Sequence, residues 1–173
     1  MSNDMIQLLK TRRSIRAYTD QMISDDVLNV ILDAATYAPT AGGRQSPVIV
    51  LIKDKETRDQ VAALNAKTRG SEADPYYGAP VIALVLADDS KGAAVTDGSS
   101  VVNYLMLAAK ACGVDSCWIA HEKELFELEE GKQLLKKWGL PETLCGVAAA
   151  ALGYAACEQP VAAPRKSDYI KVI

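Results

Sequence analysis

Three arginines and a serine stand within five positions in Arg12-Arg13-Ser14-Ile15-Arg16 of a chain that is otherwise acidic, with 19 Lys and Arg against 22 Asp and Glu. Guanidinium forks match the oxygens of a phosphate dianion two at a time, and a serine hydroxyl adds a neutral donor. The same cluster also suits a solvated helix end, where cations complement the negative pole of the dipole. A second basic pair, Arg165-Lys166, follows Pro164 near the C-terminus. The stretch Pro39-Thr40-Ala41-Gly42-Gly43-Arg44-Gln45-Ser46-Pro47 is rich in small residues and exposed amides. Such backbone either approaches a flat polar ligand or simply connects two elements.

Other chemistries are poorly served. His121 is the single histidine, so neither a Ser-His-Asp set nor a histidine-based zinc site is expected, and it reads as a polar strand-end residue. The four cysteines at 112, 117, 145 and 157 form no Cys-x-x-Cys pair and read as reduced thiols. Neither Gly-x-Gly-x-x-Gly nor a P-loop occurs, which disfavours a doubly wound nucleotide fold.

The positioning elements follow from periodicity. At 173 residues, 49% of them apolar, the chain is sized for one domain with a sufficient core. Ile6, Leu8 and Leu9, and then Val27, Val30, Ile31, Ala34, Ala35 and Ala38, fall at helical spacing. Ser24 caps the second helix with Asp25 and Asp26 in its first turn, and Pro39 ends it. Val48 to Ile52 reads as a strand buried on both faces. A helix follows from Asp54 to about Lys67, then a loop over Thr68 to Gly78 and a strand from Pro80 to Leu86. A long apolar helix from Val95 to Ala111 is expected to be central and to stop at Gly113. Further expectations are a strand at Ser116 to Ala120, one helix from Lys123 to Trp138 and a strand from Cys145 to Leu152. The tail from Ala155 to Ile173 has no core face until Tyr169, Ile170, Val172 and Ile173, so it must pack on something else. No signal peptide or membrane-length run is seen, and a cytoplasmic location without nucleic-acid or membrane partners is expected.

Taken together, the order of these pieces resembles the FMN-dependent nitroreductase family, over Leu9 to Ile173. The marks are Arg12-Arg13-Ser14-Ile15-Arg16-x-Tyr18, Ala38-Pro39-Thr40-Ala41-x-x-Arg44-Gln45, Tyr77-Gly78-Ala79-Pro80, Asp97-Gly98-Ser99, Gly113-x-x-Ser116-Cys117-Trp118-Ile119, and Gly153-Tyr154 with Pro164-Arg165-Lys166. The first and last are the specific ones, and the likeness is to short members without a ferredoxin-type extension. It implies an α+β sandwich over residues 1–173, with a central mixed sheet of about four strands flanked by helices, and residues 155–173 as an arm exchanged in a homodimer. It also implies bound FMN, NAD(P)H as reductant, and ping-pong hydride transfer to a nitroaromatic or quinone-like acceptor.

Carried over residue by residue, the resemblance places Arg12, Arg13, Ser14 and Arg16 on the FMN phosphate, ribityl chain and pyrimidine edge. Pro39, Thr40, Ala41, Gly43 and Gln45 would close over the partner subunit's flavin. The backbone of Trp118, Ile119 and Ala120 would face the ring near its reactive nitrogen, Arg165 and Lys166 would return to the phosphate, and Asn65 would touch the isoalloxazine or ribityl group. No catalytic side chain and no metal are expected, because the flavin carries the chemistry. The sequence departs from the family where Gly43 replaces Asn and Gln45-Ser46-Pro47 replaces Gln-Pro-Trp. Two other readings stand beside this one: a flavin-dependent reductase of a small metabolite, with Tyr76 and Tyr77 in a selective lid, and an FMN-storing module without turnover.

Overall fold

The computed structural model describes residues 4–90 and 92–173. Its elements are α1 (Asp4–Thr11), α2 (Asp25–Thr36), β1 (Val48–Ile52), α3 (Lys55–Thr68), β2 (Val81–Asp88), α4 (Ala94–Ala111), β3 (Asp115–Ile119), α5 (Glu122–Glu127), α6 (Glu129–Lys137) and β4 (Leu144–Gly153). The strands form one sheet in the order β1-β2-β4-β3. This is the α+β arrangement expected, with one correction: every strand pair is antiparallel rather than mixed. The one parallel bridge among the described residues joins Ser14 to Ser116, outside the strand ladders.

Period-2 alternation divides the core into two layers. On β2, Ile82, Leu84 and Leu86 face one cluster with Val61, Leu64, Leu125, Phe126 and Leu134 of α3, α5 and α6. Val81, Ala83 and Val85 face the other, with Leu28 and Ile31 of α2 and Val101, Val102 and Leu105 of α4. Burying each of these Leu, Ile or Val side chains contributes about 1.5–3 kcal/mol relative to leaving it exposed. β1 has the same continuous apolarity and is packed on both faces as expected, Val48 and Val50 against one cluster and Ile49 and Leu51 against the other, but as an edge strand it is only half-buried there. A run of apolar residues does not reveal whether its own chain supplies the covering layer.

β4 is rich in alanine because helices lie close against it. A Cβ on Gly98 of α4 would stand 2.7 Å from Val147, and one on Gly146 would stand 2.2 Å from the Glu122 carbonyl. Val147 is itself the extra residue of a bulge, since Val85 pairs with Ala148 and Leu86 with Gly146. The expected single helix over 123–138 is instead two, broken at Leu128, whose ψ of 148° is extended. The break lets Gly131 seat on the Leu125 carbonyl, where a Cβ would come within 2.1 Å.

Residues 12–18 leave α1 and run beside the sheet. Ile15 donates its amide to the Ser116 carbonyl (3.1 Å) and Thr19 to the Tyr154 carbonyl (2.9 Å). After Ala156, which donates to the Ala17 carbonyl, residues 157–173 carry no helix or strand, and Val161, Tyr169, Ile170 and Val172 are exposed. No helix among the described residues is long and apolar enough to cross a membrane.

Candidate functional site

The segment after α1 is extended, so Arg12, Ser14 and Arg16 project to one side while Ile15, fully buried, anchors the other in the core. The Cys117 thiol marks where they converge: burial pushes its pKa up, while Arg16, Ser14 and Arg12 pull it down. Arg12 is half-buried, and its Nη1 is sealed from solvent with no hydrogen-bond partner. A buried donor left unpaired costs about 1–3 kcal/mol, which an acceptor delivered to it removes. Arg13 is used differently, with Nη1 donating to the carbonyls of Lys10 (2.8 Å) and Arg12 (2.6 Å) at the end of α1.

Arg16 is exposed, its guanidinium carbon 5.9 Å from the centroid of the Tyr77 ring. Tyr77 holds this place in a left-handed conformation, φ 58°. The turn is organised by Asp74, which accepts the amides of Tyr76 (2.9 Å) and Gly78 (2.8 Å) and pairs with Arg58. Arg58 also donates to the Ala79 carbonyl at 3.1 Å. The Thr68–Gly78 stretch is therefore a pinned loop.

The glycine-rich loop is built on a short 3₁₀ turn, Ala41–Gly43, with positive φ at Gly42, Gly43 and Gln45. A Cβ at Gly42 or Gly43 would meet nothing within 4 Å, so conformation, not space, favours glycine there. Thr40 Oγ1 accepts the Gln45 amide at 3.0 Å, and Asp97 Oδ1 accepts the Ala41 amide at 2.9 Å. Asp97 is nearly inaccessible, and its Oδ2 is buried without a partner. Thr40, Gln45 and Pro47, with Thr36, Ala38 and Ile49, line an open hollow of about 390 Å³. Pro39, between Ala38 and Thr40, is exposed.

At the end of β3, Trp118 packs against the α2–α4 layer while Ile119 is buried in the opposite one. Ala120 is exposed, but its carbonyl accepts from Asn65 Nδ2 (3.0 Å) and Arg69 Nη2 (2.7 Å). Asn65 is fully buried and both ends of its amide are engaged, so its link to the strand end runs through Ala120. Arg165 and Lys166 lie on the exposed arm, and their side chains make no hydrogen bond or ion pair with the described residues.

The structure thus gathers Arg12, Ser14 and Arg16 on one face, the 39–45 loop on Asp97, and Asn65 under Ala120. Sequence reasoning placed Tyr76 with Tyr77 in a lid, whereas Tyr76 is fully buried with its hydroxyl on Glu122, and it assigned no role to Asp97, Arg69 or Glu122. Apart from the Arg69–Asn65 contact, which spans four residues, their partners lie 46 to 57 residues away, and no local spacing announces such contacts.

Fold and site define a class: an α+β protein whose half-buried arginine with one sealed, unpartnered nitrogen, together with an open backbone loop, suits a ligand with an anionic end. The chain belongs to the nitroreductase family, whose model matches residues 9–154. It is 31% identical over 157 residues to an Archaeoglobus fulgidus protein named as a candidate NADH dehydrogenase/NAD(P)H nitroreductase, covering 87% of this chain and 85% of that one. Two solved structures, nitroreductases with bound FMN from Bacteroides fragilis and Desulfitobacterium hafniense, superpose with TM-scores of 0.89 each. They are 26% and 25% identical to this chain, cover 99% and 100% of it, and are themselves covered in full.

Proposed function

We propose that the protein is an FMN-dependent oxidoreductase that uses NAD(P)H to reduce nitroaromatic or quinone-like small molecules. The observation that carries this reading is the buried, unpartnered Nη1 of Arg12 on the same face as Ser14 and Arg16. These groups fit the phosphate end of FMN, and the FMN-bound relatives make that the group to expect. The chemistry that FMN supplies when bound is hydride acceptance from NAD(P)H and donation to the acceptor, the two substrates using one face in turn.

The chain's own residues bind and orient. Arg12, Ser14 and Arg16 neutralise and direct the phosphate and ribityl end, with Arg13 bracing the helix end beside them. The backbone at Trp118, Ile119 and Ala120 borders the ring. Pro39, Thr40, Ala41, Gly43 and Gln45 cover the flavin of a second subunit, and Arg165 and Lys166 close on the phosphate from the arm. No acid–base pair is required of the protein.

A homodimer accounts for what the single chain leaves uncovered. Leu9, Tyr37 and Tyr104 are 47%, 75% and 41% exposed around an apolar hollow that Leu8 and Leu107 also line. Exposed apolar surface of this kind marks protein contacts. The arm's Tyr169, Ile170 and Val172 add a second such surface.

The test is the visible absorption spectrum of protein purified with added FMN, followed by anaerobic NADH or NADPH. The expected result is one tightly held flavin per chain that bleaches with the nicotinamide and recovers with a nitrofuran or quinone. Colourless protein that takes up no FMN overturns the reading. Bound flavin that neither nicotinamide bleaches leaves a storage module instead.

A further inference from the structure

Glu122, the first residue of α5, is fully inaccessible, in a place where an apolar side chain would be cheaper to bury. Its Oε1 accepts from the Tyr76 hydroxyl at 2.8 Å and from Asn65 Nδ2 at 3.0 Å. The same Nδ2 donates to the Ala120 carbonyl at 3.0 Å. Arg69 completes the ring, with Nε donating to Asn65 Oδ1 at 2.9 Å and Nη2 to the Ala120 carbonyl at 2.7 Å. Asn65 of α3 and Arg69 at its C-terminal end therefore hold one main-chain carbonyl, while Glu122 of α5, bonded by Tyr76 of the 69–78 loop, holds Asn65.

Two backbone features adjoin that arrangement. His121, between Ala120 and Glu122, is left-handed with φ 71°, a conformation that a non-glycine residue keeps only when its surroundings hold it. Gly146 is bare where the Glu122 carbonyl presses on β4. Burial drives the Glu122 carboxyl pKa up to about 8 and Glu124 adds to this, while Tyr76, Arg69 and Asn65 oppose it. A neutral carboxyl in a ring of directional bonds adds orientation that a leucine there would not.

We propose that Tyr76, Glu122, Asn65 and Arg69 are positioning residues that fix the Ala120 carbonyl and the left-handed His121 turn, and so set the preference of the bound flavin between its oxidised and reduced forms. This rests on the FMN reading above, in which the end of β3 borders the ring. Tyr76, Asn65 and Glu122 are fully buried behind the strand end. They act through two residues of backbone, whose dipoles bear on the flavin's charge when it is reduced.

The test is the midpoint potential of bound FMN, read from its visible absorption against a reference dye, in wild type, Glu122→Gln, Glu122→Leu and Arg69→Lys. The Gln variant keeps the shape and neutral hydrogen bonding of the carboxyl, and is expected to hold the ratio of oxidised to reduced FMN affinity within twofold of wild type. Glu122→Leu and Arg69→Lys are expected to change that ratio at least fivefold, about 20 mV for a two-electron couple. Arg69 is exposed, so Arg69→Lys keeps both fold and charge while losing the guanidinium fork, and decides the matter if Glu122→Leu does not fold. A change below fivefold in Arg69→Lys, or a Gln variant displaced as far as the Leu variant, overturns the proposal. Wild-type protein that takes up no FMN overturns both readings together, whereas an unmoved potential in flavin-binding variants overturns this one alone.

Discussion

Replacing Arg12 by methionine separates a binding role from a structural one, because the two demand changes of opposite sign. In the free protein Nη1 is buried without an acceptor. Exchanging it for an apolar side chain of similar length relieves about 1 kcal/mol, the lower end of the cost of an unpaired buried donor. For a chain of this size that is a rise of roughly 2–4 °C in the apoprotein's Tm. If Arg12 holds the FMN phosphate, the complex of the variant should instead lose a charge-assisted hydrogen bond of about 1.5–3 kcal/mol, or roughly 10- to 150-fold in Kd. The assay is paired: calorimetry of the flavin-free protein, and titration of FMN followed by quenching of its fluorescence. Arg12→Met with a lower apoprotein Tm and a Kd within threefold of wild type would show that the guanidinium holds the fold and not the phosphate.

Four other outcomes are expected. Asp97→Ala frees the Ala41 amide, so hydrogen exchange at Ala41 and Gly43 should quicken at least tenfold, and unchanged protection would show that the loop is held by other means. Gly98→Ala forces a Cβ into Val147 and should cost about 1–3 kcal/mol, recovered on adding Val147→Ala; calorimetry of the single and double variants decides. Glu122, held near pKa 8 in the fold against an ordinary 4.5, is ionised in the unfolded chain between those values and takes up a proton on folding. Its contribution is therefore complete below about pH 4.5 and falls by ~1.4 kcal/mol per pH unit toward pH 8. Urea unfolding at pH 5 and pH 8 should show this decline in wild type but not in Glu122→Gln, and parallel declines would contradict it. Ending the chain after Ala156 should convert a sedimenting dimer to monomer and abolish tight FMN binding, whereas a dimeric, flavin-binding truncation would remove the arm's role.

Much of the fold was legible where local chemistry decides it. Ser24 and Asp54 cap α2 and α3 as their positions suggest, accepting the amides of Val27 (3.4 Å) and Thr57 (2.8 Å). β2 and β4 are central strands covered on both faces, as continuous apolar runs allow. β1 carries an equally apolar sequence at an edge, because its pattern records the need for cover but not its source. The break at Leu128 was hidden because its cause is packing of Gly131 on the preceding turn. The arginine cluster stood out by charge alone. The roles of Asp97, noted only as a mark of the resemblance, and of Glu122 did not, since both gain their partners only when segments more than 40 residues apart are brought together.

The most direct measurement is the affinity of the apoprotein for FMN against riboflavin, which differ only in the phosphate. If Arg12, Ser14 and Arg16 hold that group, FMN binds at least ~100-fold more tightly, the equivalent of about two charge-assisted hydrogen bonds, and Arg12→Met narrows the gap. Equal affinity for the two would show that the basic face serves some other anion or none.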